Sequence, residues 1–224
     1  MCGDILNVTS GEWEKVHTGC RKLLKYVDEP VCCKCGKHLE GLEEYCKDCK
    51  NTHHFFDRAL PVFEYNDEIK SGIYDFKYNN KRIYADFFAE EMYLRYKRVM
   101  EVWDINLIIP VPMFKKKERE RGYNQANLLA QKLSVVSGLV CRDDILIRKR
   151  KTEPMKELGR TQRLSNLKGA FEVSKNLSTI YNSRIILIDD IYTTGTTLDE
   201  CSLVLKKAGA CRVYGITLCI GEGF

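Results

Sequence analysis

Apolar residues change their rhythm along the chain. In residues 11–27, Trp13, Val16, Cys20, Leu23, Leu24 and Val27 recur at helical spacing, which predicts a short amphipathic helix. The run RALPVFEY at residues 58–65 reads as a strand. Over residues 81–103, Ile83, Phe87, Phe88, Met92, Tyr96, Val99 and Trp103 recur every three to five positions. That spacing predicts a second helix, whose aromatic stripe faces a core rather than serving as a stacking platform.

Beyond residue 103 strands and helices alternate. INLIIPVP (residues 105–112) is a short continuous apolar run, and YNQANLLAQKLSVVSG (123–138) has a helical pattern closed by Gly138. LVCRDDILIRKR carries β-rich pieces, while GAFEV, RIILIDD and CRVYGITLCI are strand candidates. Residues 197–208 read as a helix closed by Gly209. This order predicts an α/β fold, a mainly parallel sheet with helices on both faces. Cys141, Cys201, Cys211 and Cys219 fall inside apolar patterns and read as small core residues.

Length and composition narrow the picture. A chain of 224 residues, 44% hydrophobic and 30% charged, suits one α/β domain with a small appendage. The expected division is 1–57 for an N-terminal helix and cysteine module and 58–224 for the α/β domain. No segment approaches the roughly 18 apolar residues of a membrane span. The start, MCGDILNVTSGEWEK, lacks a basic head followed by an apolar stretch, so a cytoplasmic location is expected. Charge is uneven: residues 113–168 hold 15 Lys/Arg against 6 Asp/Glu, although the whole chain is only +5. An anionic ligand, a polyphosphate or a nucleic acid, is expected near that segment.

Eleven cysteines form an odd set with no export signal, which favours metal binding over a disulfide framework. Cys32-x2-Cys35 and Cys46-x2-Cys49 present four thiolates from two tight turns, the spacing of a structural zinc site. Cys33 is an alternative ligand one position away. His38, His53 and His54 are not needed once four sulfurs are counted. A full thiolate shell leaves no open position for water or substrate.

The stretch IILIDDIYTTGTTLDE (185–200) places Asp189 and Asp190 after an aliphatic strand and before Thr193, Thr194, Gly195, Thr196 and Thr197. Ligands of parallel sheets bind beyond the carboxyl ends of strands, and a helix N-terminus there favours a phosphate. Two acids beside that phosphate fit a sugar phosphate whose hydroxyls donate to the carboxylates, with magnesium bridging the same groups. The plainer alternative is a capped helix start beside a solvated strand end.

The run from Asp189 to Thr197 resembles the ribose-phosphate motif of type I phosphoribosyltransferases. The resemblance extends to the ComF family of competence-associated proteins, through the cysteine knuckle from Cys32 to Cys49, Pro110-Val111-Pro112, Arg121 to Gln125 and Asn166 to Phe171. It implies that Asp189 and Asp190 hold the ribose 2- and 3-hydroxyls with magnesium shared, and that Thr193 to Thr197 cradle the 5-phosphate of phosphoribosyl pyrophosphate. It further implies that the loop at residues 111–115 holds pyrophosphate, with Lys115 or Arg119 neutralising it, and that residues 149–168 form a cover. Thr193 stands where some purine-salvage enzymes of the superfamily carry an aspartate, and a threonine hydroxyl is no proton acceptor near neutral pH. A hypoxanthine or guanine acceptor is therefore disfavoured. Met155 follows Thr152-Glu153-Pro154 where the family commonly has glutamine.

The basic segment has competing readings. Lys115, Lys116, Lys117, Arg119 and Arg121 interleave with Glu118 and Glu120 and are equally consistent with a solvated face. Arg121 is either a ligand or part of the helix start, which Asn124 is placed to cap. Arg148, Lys149, Arg150 and Lys151 are read as a pyrophosphate partner, a single-stranded DNA contact or a solvated strand end. Two functions follow: magnesium-dependent phosphoribosyl transfer to an unknown acceptor, or a non-catalytic or weakly catalytic DNA-handling protein of competence that binds single-stranded DNA and a helicase-like partner.

Overall fold

In a computed structural model of the chain, residues 8–9, 12–13, 18–152, 165–174 and 179–221 are described. The elements begin with β1 (Val8–Thr9), β2 (Glu12–Trp13), α1 (Thr18–Lys22), α2 (Lys47–Lys50), β3 (Ala59–Glu64), α3 (Asp67–Tyr78), α4 (Tyr84–Val102) and β4 (Leu107–Pro110). They continue with α5 (Lys115–Arg121), α6 (Gln125–Ser137), β5 (Val140–Cys141), β6 (Leu146–Arg148), β7 (Phe171–Val173), β8 (Arg184–Tyr192), α7 (Thr196–Lys207) and β9 (Arg212–Ile220). Five strands form one sheet in the order β3-β9-β8-β4-β5, and every pair in it is parallel. The pairs β1/β2 and β6/β7 are antiparallel and lie outside it.

Alternation along β8 explains why the sheet is covered twice. Ile185 and Leu187 belong to one apolar cluster, and Ile186 and Ile188 to another, because successive strand side chains point to opposite faces. The first cluster takes in Leu198, Cys201 and Leu205 of α7. The second takes in Phe76 of α3, Phe88 and Met92 of α4, and Leu129 and Leu133 of α6. Helices thus flank a mainly parallel sheet on both faces, and the aromatic stripe of α4 lies in the core as its period predicts.

Three expectations change. Of the helix predicted for residues 11–27, the described residues show Thr18–Lys22, with a strand at Glu12–Trp13 and a non-helical chain after Leu23; residues 14–17 lie outside the described residues. Leu24 and Val27 reach the core from an extended segment: Val27 N–H donates to Val62 O at 3.1 Å and Glu64 N–H to Lys25 O at 2.9 Å. Edge strand β3 has open backbone groups, and pairing with them outweighs one more helical turn. The helix Asp67–Tyr78 is an addition, started by Asn66, whose side chain accepts from Ile69 N–H at 2.9 Å. Cys211 is exposed, because it lies in the turn before β9 rather than in the strand; Cys201 and Cys219 are buried.

The cysteine segment shares this core. Cys32, Cys35 and Cys46 lie in the same cluster as Ile185 and Leu187, and Ala59 N–H donates to Lys34 O at 2.8 Å. Among the described residues no helix is long and apolar enough to cross a membrane. Phe88 is fully buried, with Phe76, Tyr84 and Phe87 rings around it at centroid distances of 5.6 to 6.3 Å. Phe88→Ala is expected to cost about 3–5 kcal/mol, seen in urea unfolding as a lower midpoint at unchanged slope.

Candidate functional site

Strand β4 pairs with β8 so that Pro110 lies opposite Ile188, and Val111 N–H donates to Ile188 O at 2.9 Å. The loops after the two strands therefore leave the same carboxyl edge. Between them opens a cleft of about 320 Å³. Asp189, Asp190, Thr193 and Thr197 line one side; Lys117, Arg121, Gln125 and Arg148 are also in its lining, with Lys77 beside the acids.

The acid side is partly neutralised by the protein itself. Asp190 N–H donates to Asp189 Oδ1 at 2.8 Å, and Lys77 from the last turn of α3 forms an ion pair with Asp190. Burial, followed by the charge of Asp190, pushes the Asp189 carboxyl up to about 7. Burial works against the Lys77 ammonium, but the charge and hydrogen bond of Asp190 more than offset it, so its pKa is raised.

The cationic side is set by helical phase. Lys117 and Arg121, four residues apart on α5, share the face that lines the cleft. Lys115 and Arg119 share a different face: Lys115 lines an adjoining pocket of about 210 Å³ with Asp143 and Asp144, and Arg119 is exposed and lines neither. Arg148 arrives on β6, its guanidinium 5.4 Å from the Phe171 ring centroid. Burial, then the charges of Arg148 and Arg121, lower the pKa of Lys117. Gln125 is buried and its Oε1 accepts from Arg121; among the described residues its Nε2 has no partner, as is true of Arg148 Nε. Cations crowded together with unmatched donors have the chemistry that suits a polyanion. Asn124 caps α6 through Ala126 N–H at 3.1 Å and donates to Val111 O at 3.0 Å, tying this wall to the strand end.

The threonine loop closes the site. Gly195 has φ +78°, and a Cβ there would lie 2.6 Å from the Tyr192 hydroxyl, so only glycine fits. Thr194 and Thr196 share a hydrogen bond between hydroxyls at 2.9 Å. The N-terminus of α7 that follows has the unpaired amides and positive dipole end that suit a phosphate.

The four cysteine sulfurs of Cys32, Cys35, Cys46 and Cys49 all lie within 4.8 Å of one another, with Cys35 and Cys46 at 3.7 Å. A tetrahedral thiolate site with metal–sulfur bonds of about 2.3 Å has sulfur–sulfur edges of about 3.8 Å, so this donor set fits a zinc ion. Cys46 N–H adds a hydrogen bond to Cys32 Sγ at 3.3 Å. Cys33 is exposed and outside the cluster. His38 Nδ1 is engaged with Asp28 O at 2.8 Å, and His54 with Asp199. Of the cover expected over residues 149–168, positions 153–164, including Met155, lie outside the described residues.

The sequence profile of the phosphoribosyl transferase domain matches residues 119–222, the part of the chain that supplies both acids, the threonine loop and most of the cationic wall. Competence protein F of Haemophilus influenzae is 31% identical over 204 residues, covering 89% of this chain and 88% of that protein. Competence protein ComFC of Bacillus subtilis is 31% identical over 212 residues, covering 92% and 84%. DNA utilization protein YhgH of Escherichia coli is 27% identical over 197 residues, covering 86% and 85%. The chain belongs to the ComF family.

The raised Asp189 carboxyl has a pH signature. Because its folded value is near 7 rather than the ordinary 3.8, the folded protein holds a proton that the unfolded chain has released. Stability falls as pH rises across that window. Asp189→Asn removes the loss. In metal-free buffer, its unfolding free energy relative to wild type is expected to rise by at least about 1 kcal/mol between about pH 5 and about pH 8. Urea titrations at the two pH values measure this, and a pH-independent difference would contradict it.

Proposed function

We propose that the cleft binds phosphoribosyl pyrophosphate together with magnesium and catalyses phosphoribosyl transfer. One observation carries the reading: a carboxylate pair and a cluster of cations flank one cleft that ends at a glycine-threonine loop. The substrate has the matching order of groups. Its ribose hydroxyls suit Asp189 and Asp190, its 5-phosphate suits the amides and hydroxyls of Thr193 to Thr197, and its pyrophosphate suits Lys117, Arg121 and Arg148. Lys115 and Arg119 stand on the outer part of the same helix, where Lys115 extends the positive field toward the adjoining pocket.

In the reaction the bond from C1 to the pyrophosphate oxygen breaks, pyrophosphate departs with the electron pair, and an incoming nucleophile bonds C1. Asp189 and Asp190 orient the ribose, and the guanidinium and ammonium groups stabilise charge on the leaving group. Asp189 and Asp190 are the residues that would hold magnesium, which when bound would supply further neutralisation of that charge. Zinc is assigned to Cys32, Cys35, Cys46 and Cys49, as a structural ion with a complete thiolate shell.

Calorimetry with magnesium tests the pocket. Wild-type protein is expected to bind phosphoribosyl pyrophosphate, and Asp190→Asn to weaken it by at least about tenfold. Arg148→Gln is expected to weaken phosphoribosyl pyrophosphate more than ribose 5-phosphate, which lacks the pyrophosphate. Absence of wild-type binding would refute the reading.

A second activity is supported by the relatives' names, which speak of competence and DNA utilization, and by the excess of Lys/Arg over residues 113–168. Under it, the chain handles single-stranded DNA, with a helicase-like partner. Lys149 pairs with Glu172 and Arg150 donates to Lys168 O at 2.8 Å, so among the described residues Lys151 is the freest cation of that block. Neutralising Lys149 and Lys151 together is expected to flatten the salt dependence of DNA binding by about one to two counterions. Equal slopes for variant and wild type in a fluorescence-anisotropy salt titration would count against DNA contact there.

A further inference from the structure

The cysteine cluster and the threonine loop face one cavity. Cys35, Cys46 and Cys49 line a small cavity, of about 20 Å³, together with Tyr192, Thr193 and Thr194. After Cys49 the chain returns to the loop through residues 54–57. His54 Nδ1 lies 2.7 Å from Asp199 Oδ2, and Phe55 N–H donates to Asp199 Oδ1 at 2.7 Å. The His54 and Asp199 side chains are both buried. Asp199 sits in the first turn of α7, and its own N–H donates to Gly195 O at 2.9 Å.

The same segment forms the wall behind Gly195. A Cβ on that glycine would lie 3.1 Å from both His54 Cε1 and Phe56 Cε1. The Phe56 ring meets Tyr192 edge to face at 6.1 Å. On its other side the segment is held by the cysteine turn: Lys34 Nζ, between two of the cysteines, donates to Phe56 O at 2.7 Å and Asp57 O at 3.2 Å. A continuous set of contacts therefore runs from the metal-ligand turn to the start of α7.

We propose that His54 and Asp199 are positioning residues through which the metal-loaded cysteine cluster fixes the threonine loop for the 5-phosphate. Asp199 accepts two hydrogen bonds from residues 54 and 55, which locks the first helical turn against the cysteine module; unlocking it frees the amides that face the ligand. The proposal rests on the ribose-phosphate reading of the loop, and it adds a coupling between that loop and the cysteine site.

The test uses the full chain loaded with zinc. His54→Asn keeps an N–H donor near the place of Nδ1, whereas His54→Phe fills the space and leaves Asp199 Oδ2 unpartnered. Hydrogen exchange of the ligand-free protein is read on the peptide spanning residues 190–199. Exchange there is expected to quicken by about tenfold in His54→Phe and in wild type stripped of zinc by a chelator, and to stay near wild type in His54→Asn. Affinity for phosphoribosyl pyrophosphate with magnesium is expected to fall by about tenfold in His54→Phe at unchanged zinc content, with recovery in His54→Asn. Asp199→Ala, which removes the acceptors of both His54 and Phe55 N–H, serves if His54→Phe does not fold. Wild-type exchange in zinc-loaded His54→Phe or Asp199→Ala, or in zinc-stripped wild type, would overturn the coupling. A wild-type protein that binds no phosphoribosyl pyrophosphate would sink the ligand reading alone, and the exchange arm would still decide this one.

Discussion

Parallel pairing of Leu107–Pro110 with Ile185–Ile188 is the constraint on which the cleft depends. Its last bond, from Val111 N–H to Ile188 O, makes the two strand ends level. A strand's side chains alternate between faces, so a slip of one residue would exchange the two faces of β8, moving Leu187 to the α4 side and Ile186 to the α7 side. The same slip would rotate Asp189 away from the cleft. Two apolar clusters, one on each face, therefore hold the acids in place by fixing the strand that carries them.

Charge divides the site unevenly. The acids have Lys77 as a fixed partner, while the cations of α5 and Arg148 repel one another and have unmatched donors among them. Under the proposed function, a ligand with hydroxyls at one end and dense negative charge at the other would complete both sides at once. Arg148 belongs to the β6/β7 pair, outside the main sheet, so the distance from cation to acid is set by how that pair sits and not by the sheet ladder. Arg148 is also linked to Thr152.

Much of this was legible in the chain because it is local. Hydrophobic period marked the strands and the long helix, and the order of aliphatic strand, two acids, small hydroxyl residues and helix fits within residues 185–200. The cysteine spacing is likewise short. What depends on distant pairing left no local signal: Lys77 meets Asp190 across more than a hundred residues, and His54 meets Asp199 across 145. The segment at 11–27 misled because apolar positions at helical spacing also suit an extended chain that buries Leu24 and Val27 while leaving Leu23 exposed. Lys115 and Arg119 were natural choices for the anion from proximity to the strand end, but sequence does not say which face of a helix of about two turns looks inward.

That helical face has an evolutionary corollary. A residue inserted inside Lys115–Arg121 turns everything after it by about 100°, which carries Arg121 off the wall and brings an acidic neighbour toward it. Substitutions on this short helix alter one contact at a time, whereas a single-codon length change rewrites the charge of the wall. Chains that descend from this one are therefore freer to vary the outward residues of the segment than its length.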